Sequence, residues 1–296
     1  MYNYKPPKVI CEIGCNHMGN FDLAKEMIKI ACEFCNVDVV KFQKRSNNEL
    51  LGEDYYKPHP NPENSYGKNY GEHRDALEFN IDQHRELKKY CESFDKIYSS
   101  SVWDITSAKE IISLNPELIK IPSAMNLNFN LLKYVLENYN GEIHISLGMT
   151  FMNEVEKLIK FFEINNKLSN LVLYYCKSTY PVYEKNLDLL EIVNLQKKYG
   201  HMIKCIGFSG HHTGISVDVS ALTLGAEFFE RHFTLDRTYK GTDHSASLEP
   251  DGMRRLVRNL KETFQSLTEW DGKIEDEELI QRNKLKVIKY KDNEQE

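Results

Sequence analysis

The chain has 296 residues, enough for one large domain or two modest ones and too many for a small scaffold that needs staples to fold. A hydrophobic fraction of 41% and a charged fraction of 28% are globular values, and 38 basic against 44 acidic side chains leave a net charge of −6, with no basic block to grip a nucleic-acid backbone. No apolar run reaches the roughly 18–20 residues that span a bilayer and residues 1–8 lack the apolar centre of a signal peptide, so a cytoplasmic protein with no nucleic-acid and no membrane partner is expected.

Along the chain, short β-rich runs alternate with amphipathic segments, the pattern of parallel βαβ units. The predicted strands are 9–14, 37–43, 96–101, 118–122, 142–147, 171–177, 203–209 and 226–234. Between and after them lie predicted helices at 21–34, 81–94, 105–114, 130–138, 153–162, 187–198, 215–224 and 251–267, several preceded by Asp, Asn, Ser or Thr as N-caps. Eight such units in a chain of this size predict an α/β fold, a single-domain (β/α)8 TIM barrel over 1–270. The first strand is not followed by GxGxxG, which disfavours a dinucleotide fold.

One connection breaks the rhythm. Residues 44–80 are far longer than a usual βα loop and contain Gly52, Pro58, Pro60, Pro62, Gly67 and Gly71 together with Tyr55, Tyr56, Tyr66 and Tyr70. Leaving the C-terminal end of the second strand, this segment is expected to be lid-like. Residues 271–296 are charged and predict a tail or a capping helix. The seven cysteines are odd in number and scattered, which suits reduced thiols. Cys32 and Cys35 form a lone CxxC at one-turn spacing within a helical pattern, a packing feature rather than a zinc or redox site.

In a barrel, polar residues at the C-terminal strand ends converge. Here they are Glu12 leading to Asn16 and His17; Lys41 and Gln43; Ser99, Ser100 and Ser101; Lys120 and Ser123; Ser146; Lys177, Ser178 and Tyr180; Ser209 with His211 and His212; and His232. Ammonium groups and hydroxyls gathered from many strands suit an anion bearing phosphate and carboxylate groups, so a phosphorylated small acid fits. His211 and His232 end neighbouring strands and can offer imidazole nitrogens to a divalent cation; general acid–base work and core packing are open alternatives for the same pair. His212 is expected to point elsewhere, as a loop hydrogen-bond donor.

The segments EIGCNHMGN (12–20), VVKFQK (39–44), SYGKNYGEHRDALEF (65–79), IKIPSAMN (119–126), ISLGMT (145–150), YYCKSTYP (174–181), GFSGHHTGI (207–215) and ERHFTLDRTYKGTDHSASLEPDG (230–252) stand in order along nearly the whole barrel. On them the chain resembles the sialic acid synthase family, which condenses phosphoenolpyruvate with an N-acylated hexose aldehyde to give nonulosonic acids. The resemblance implies a (β/α)8 barrel and a divalent metal, Mn2+ or Mg2+, held by His211 and His232. It also implies phosphoenolpyruvate contacts at Lys41, Ser101, Lys120, Ser123, Ser146, Ser178 and Ser209, sugar contacts at Gln43, Tyr180 and Asp243, and acid–base or water-orienting work for Glu12. The substrates it implies are phosphoenolpyruvate and an aldose such as N-acetylmannosamine, in surface-glycan biosynthesis.

Departures from the family pattern fall mainly on the sugar side. Met125 stands where an acidic sugar contact is usual, and Gly210 replaces an Asp, which predicts a lost partner for His211. Ser101 and Leu147 stand where Thr is usual; the first keeps a hydroxyl and the second does not. Many family members also carry an antifreeze-like domain after the barrel, which in a swapped dimer lends an arginine to the neighbouring site. Residues 270–296 are too few for that domain, so a separate antifreeze-like domain protein is one expected partner and a homodimer another. The leading expectation is a phosphoenolpyruvate-dependent synthase with an altered acceptor; the alternative is a non-catalytic homologue of the barrel that binds a ligand or a partner.

Overall fold

A computed structural model describes residues 4–287, so residues 1–3 of the segment read for a signal peptide and 288–296 of the expected tail lie outside the described residues. Eight parallel strands, β1 (Lys8–Gly14), β2 (Val39–Lys44), β3 (Ile97–Val102), β4 (Leu118–Ile121), β5 (Glu142–Ser146), β6 (Leu171–Cys176), β7 (Cys205–Gly210) and β8 (Phe228–His232), close into a barrel in sequence order, with β8 pairing back to β1. The (β/α)8 barrel is thus the fold. Along β1 the pleat sends Val9, Cys11 and Ile13 outward to the helices and Ile10 and Glu12 inward. The outward set joins one large core shared with Ala24, Met27, Leu87, Ile111, Leu132 and Leu256. The inward set begins with a second, smaller core of Ile10, Val39, Leu118, Val172, Tyr174, Cys205 and Phe228 that fills the lower barrel. Above this apolar plug the inward positions turn polar.

Helices follow each strand, capped as their sequences suggest. Asn20 accepts from the Leu23 amide at 3.1 Å, Asn128 from Leu131 at 3.2 Å, and Asn80 forms a capping box with Gln83 at the start of Ile81–Glu92. The helix expected over 21–34 is α-helical only for Phe21–Lys29 and continues as a π-helical turn, Ile30–Phe34. That turn places Cys32 and Cys35 in the core, where burial pushes both thiols up to about 12; the CxxC is packing. All seven cysteines are free.

The 44–80 segment is less irregular than its composition suggests, containing short helices at Asn47–Leu51 and Tyr70–Ala76. Its two ends are clasped together: the Glu78 carboxylate accepts from the Arg45 amide at 3.0 Å and from Arg45 Nε at 2.6 Å. Asp104 anchors it a second time, accepting from the Ser46 amide at 2.8 Å while capping the helix Ile105–Ser113 through the Ser107 amide at 2.7 Å. Beyond the barrel a helix runs over Asp276–Leu285 and buries no residue. Among the described residues no helix is long and apolar enough to cross a membrane.

Candidate active site

The C-terminal mouth of the barrel opens into a cavity of about 490 Å³, a size suited to small-molecule ligands. Glu12, Lys41, Gln43, Ser101, Lys120, Ser123, Ser146, Ser178, Tyr180, Ser209, His211, His232 and Asp243 all line it. Strand register accounts for the convergence: Glu12 sits opposite Lys41 on one side and His232 on the other, Gln43 opposite Ser101, and Ser101 opposite Lys120. Inward positions of neighbouring strands therefore form one continuous polar layer.

At the deep end two lysines face two carboxylates. Lys41 Nζ contacts Glu12, lies 3.6 Å from Glu230 and donates to Ser101 Oγ at 2.8 Å. Lys120 Nζ bonds Glu230 Oε2 at 3.0 Å and lies 3.5 Å from the Tyr174 ring centroid. Glu230 also accepts from Ser209 Oγ at 3.0 Å. Burial works against the Lys41 charge, but Glu12 and Glu230 outweigh it and raise its pKa. At Lys120 burial wins over Glu230 and the pKa falls. Burial likewise raises Glu12 against the pull of Lys41, whereas burial of Glu230 is overcome by Lys120 and Lys41, which hold it well below the carboxylate range.

On the opposite wall, hydroxyls crowd around a glycine. A Cβ at Gly148 would lie 2.1 Å from Ser178 Oγ and 2.7 Å from Ser123 Oγ, so only glycine lets β4, β5 and β6 bring these groups so close. The Gly148 amide donates to Ser123 Oγ at 3.1 Å. Asn126 braces the same corner, donating to the Ser146 carbonyl at 2.8 Å and to Thr150 Oγ1 at 2.7 Å.

The imidazole pair has its ring centroids 5.7 Å apart, and Tyr180 lies 4.2 Å from the His211 ring. His211 Nδ1 donates to the Lys177 carbonyl at 2.8 Å, which leaves its Nε2 with a free lone pair. Burial holds His211 down to about 3, hence neutral. His232 Nδ1 is buried without a hydrogen-bond partner, with Asp243 Oδ2 at 3.9 Å. These two nitrogens fit a divalent cation: one is oriented by a backbone partner and the other is an orphaned buried acceptor or donor. No cluster of three or more His, Cys, Asp or Glu with metal-binding arrangement occurs among the described residues, so two imidazoles would leave coordination positions for water and substrate.

Several expectations are corrected here. The partner that Gly210 was expected to cost His211 is supplied by the Lys177 carbonyl, and a Cβ at Gly210 would meet His212 at 2.9 Å and Arg231 at 3.0 Å, leaving no room for a longer side chain. Met125, as expected, gives the cavity no polar contact: it packs against the core, and Ala124 faces the cavity instead. His212 is no loop donor but is fully buried beside Arg231 and Asp218, each 3.2 Å from its Nε2. Asn16, His17, Ser99, Ser100 and Lys177 do not line the cavity. Asn16 ties β1 to the loop after β8 through the Phe233 carbonyl and Ser247 Oγ. His17 stacks on Phe79, Ser99 sits a layer deeper against the Leu118 carbonyl, Ser100 faces the helices by the strand alternation, and Lys177 pairs with Asp188 at the surface.

Sequence reasoning missed Glu230, although the alternation that points His232 inward points Glu230 inward too. It also missed Arg45, His59, His73, Arg74 and Trp103 at the mouth, the first four from a segment with no periodicity to read.

The fold is a (β/α)8 barrel, and its mouth holds a cavity lined by lysines, serines and histidines. A model of the NeuB family matches residues 27–272, and the chain belongs to that family. It is 38% identical over 261 residues to N-acetylneuraminate-9-phosphate synthase of Homo sapiens, covering 86% of this chain and 70% of that one. With N,N'-diacetyllegionaminic acid synthase of Legionella pneumophila it shares 32% over 278 residues, 92% of this chain and 76% of the other. The solved structure of N-acetylneuraminic acid (sialic acid) synthetase from Leptospira borgpetersenii, in complex with citrate, superposes with a TM-score of 0.78 at 26% identity, covering 95% of this chain and 93% of that one.

Proposed function

We propose that this protein condenses phosphoenolpyruvate with an aldose to give a sialic-type nonulosonic acid and phosphate. The observation that carries the reading is the convergence of Lys41, Lys120 and five serines with two neutral-capable imidazoles in one cavity. Lys41 and Lys120 already pair with Glu12 and Glu230, and an incoming dianion exchanges partners with them rather than bringing an unmatched charge into a dry site. Ser123, Ser146 and Ser178 supply directed donors on the opposite wall, aimed at the carboxylate and phosphate oxygens. Glu12, raised by burial, accepts from Gln43 at 3.2 Å and sits beside His232 in register, placed to hold or move a proton at the reacting carbon. Tyr180, Gln43 and Asp243 orient the aldose over that end.

A divalent cation, Mn2+ or Mg2+, would be held by His211 and His232 and would supply Lewis-acid polarisation of a carbonyl oxygen. The seven free thiols support a reducing compartment, so we place the protein in the cytoplasm. The same reading carries a homodimer as a proposed assembly. Purified protein supplied with Mn2+, phosphoenolpyruvate and a panel of aldoses, phosphorylated and not, is expected to release phosphate with at least one and to yield a product whose mass equals the sugar plus pyruvate. Binding of phosphoenolpyruvate without turnover of any sugar would favour the non-catalytic alternative.

A further inference from the structure

Behind the imidazole pair, on the outer side of the barrel wall, stands a group of polar side chains that the proposed chemistry does not use. His211 and His232 line the cavity. Their chain neighbours His212 and Arg231 point the other way and are buried, as is Asp218 from the helix Ser216–Thr223. Arg231 Nη1 donates to Asp218 Oδ2 at 2.6 Å and to the Gly214 carbonyl at 2.9 Å, and Nη2 donates to the His212 carbonyl at 2.7 Å. His212 Nε2 faces Arg231 and Asp218, 3.2 Å from each.

The register of β7 against β8 ends with Gly210 opposite Arg231. His211 and His232 therefore each stand one residue past the last paired position. There the guanidinium takes over from the ladder: rooted one residue before His232, it grips the carbonyl one residue after His211. From the loop after β6, the Val182 amide donates to the His211 carbonyl at 3.1 Å, and the Lys177 carbonyl accepts from His211 Nδ1 at 2.8 Å. The backbone carrying His211 is thus held from both neighbouring strands. Gly210 leaves the gap this needs, because a Cβ there would lie 3.0 Å from Arg231 Cδ and 2.9 Å from His212 Cε1. A buried ion pair costs desolvation that apolar packing of the same volume avoids, so stability alone gives little reason for Arg231 and Asp218 here. A planar, always ionised fork that fixes two carbonyls gives a geometric one.

We propose that Arg231, locked in place by Asp218, is a positioning residue that holds His211 and His232, whose ring centroids are 5.7 Å apart, in the arrangement that takes up a divalent cation. This rests on the imidazole pair proposed above as the metal site. Arg231, Asp218 and His212 do not line the cavity, so they act through the two histidines and not on a substrate.

The test reads metal uptake rather than turnover. Mn2+ affinity is measured from the electron paramagnetic resonance signal of free Mn2+, and phosphoenolpyruvate affinity by calorimetry without metal, on the wild type, Arg231→Lys and Asp218→Asn, with His211→Ala and His232→Ala marking the site itself. Arg231→Lys keeps the charge opposite Asp218 but loses the fork that spans two carbonyls; Asp218→Asn keeps the shape of the anchor and removes its charge. Each is expected to weaken Mn2+ binding by about 10–100-fold, the range for groups that orient metal ligands from behind. Phosphoenolpyruvate binding, which falls to the lysines and serines, should stay at the wild-type level. Wild-type Mn2+ affinity in either variant overturns the proposal and leaves the metal pair standing. An equal loss of affinity for Mn2+ and phosphoenolpyruvate, or loss of the folded near-ultraviolet dichroism in both variants, marks the group as general structural support and overturns it as well. A wild type that takes up no Mn2+, or whose affinity survives in both alanine variants, defeats the metal pair and this proposal with it.

Discussion

Glu230 shows how one buried side chain conditions a whole site. Its carboxylate faces Lys120 at 3.0 Å, Lys41 at 3.6 Å and Ser209 at 3.0 Å, so it helps raise Lys41 and offsets part of the burial that lowers Lys120. Replacing it by Gln preserves shape but leaves Lys41 with Glu12 alone and takes from Lys120 its paired carboxylate. Removing one partner of a buried ion pair costs about 3–5 kcal/mol, and urea denaturation of Glu230→Gln without ligand is expected to show a loss of that order. Phosphoenolpyruvate should restore more stability to this variant than to the wild type, because the dianion replaces the missing charge. A ligand-induced shift no larger than that of the wild type would contradict this role. His211 teaches a related lesson: its orienting partner is a backbone carbonyl, Lys177, which no reading of side-chain identity reveals.

At the scale of elements, strand alternation explains most of what the sequence disclosed. Glu12, Lys41, Ser101, Lys120, Ser146, Ser209 and His232 were legible because a parallel barrel strand points every second residue inward and its C-terminal end to the site. The connection between β2 and the helix Ile81–Glu92 has no such rule. Its placement depends on long-range clasps, Arg45 to Glu78 and Ser46 to Asp104. Asp104→Ala removes a helix cap and one clasp together, and chemical denaturation is expected to register about 1–3 kcal/mol, the sum of a cap and a buried hydrogen bond. The KM for the aldose should rise more than that for phosphoenolpyruvate, because the segment contributes to the mouth and not to the lysine end. A purely local cap would leave both KM values alone.

At the scale of the whole molecule, the barrel interior and its surroundings hold neutral histidines. Burial is the leading cause that lowers His17 and His84 to about 3 and His144 to about 4. His144 is further fixed between the Tyr174 hydroxyl at 2.8 Å and Glu142 at 3.1 Å. Since the unfolded chain binds protons near 6.5 and the folded chain does not, their contribution is complete above pH 6.5 and is lost as pH falls toward 4 and 3. Glu142 has a pKa near 2 because bonds to His144 and Lys204 overcome its burial, so it adds a loss of the same sign below 4.5. Glu12 and Glu227, both raised by burial, run the other way, but His73, His211 and His244 are also lowered by burial and add to the loss. The urea midpoint is therefore expected to fall steadily from pH 7 to pH 4.5, and a flat profile would refute the account. Composition, charge and the period-two strands sufficed for the barrel and its deep, lysine-lined end, because those depend on local alternation repeated eight times, and the family was legible from the resemblance of motifs standing in order along the chain. The carbonyl behind His211, the inward turn of Met125 to the core and the balance of two lysines by two glutamates emerged only from the folded chain. Each depends on which groups from distant segments meet in space, and charge compensation and burial are properties of that meeting rather than of any residue by itself.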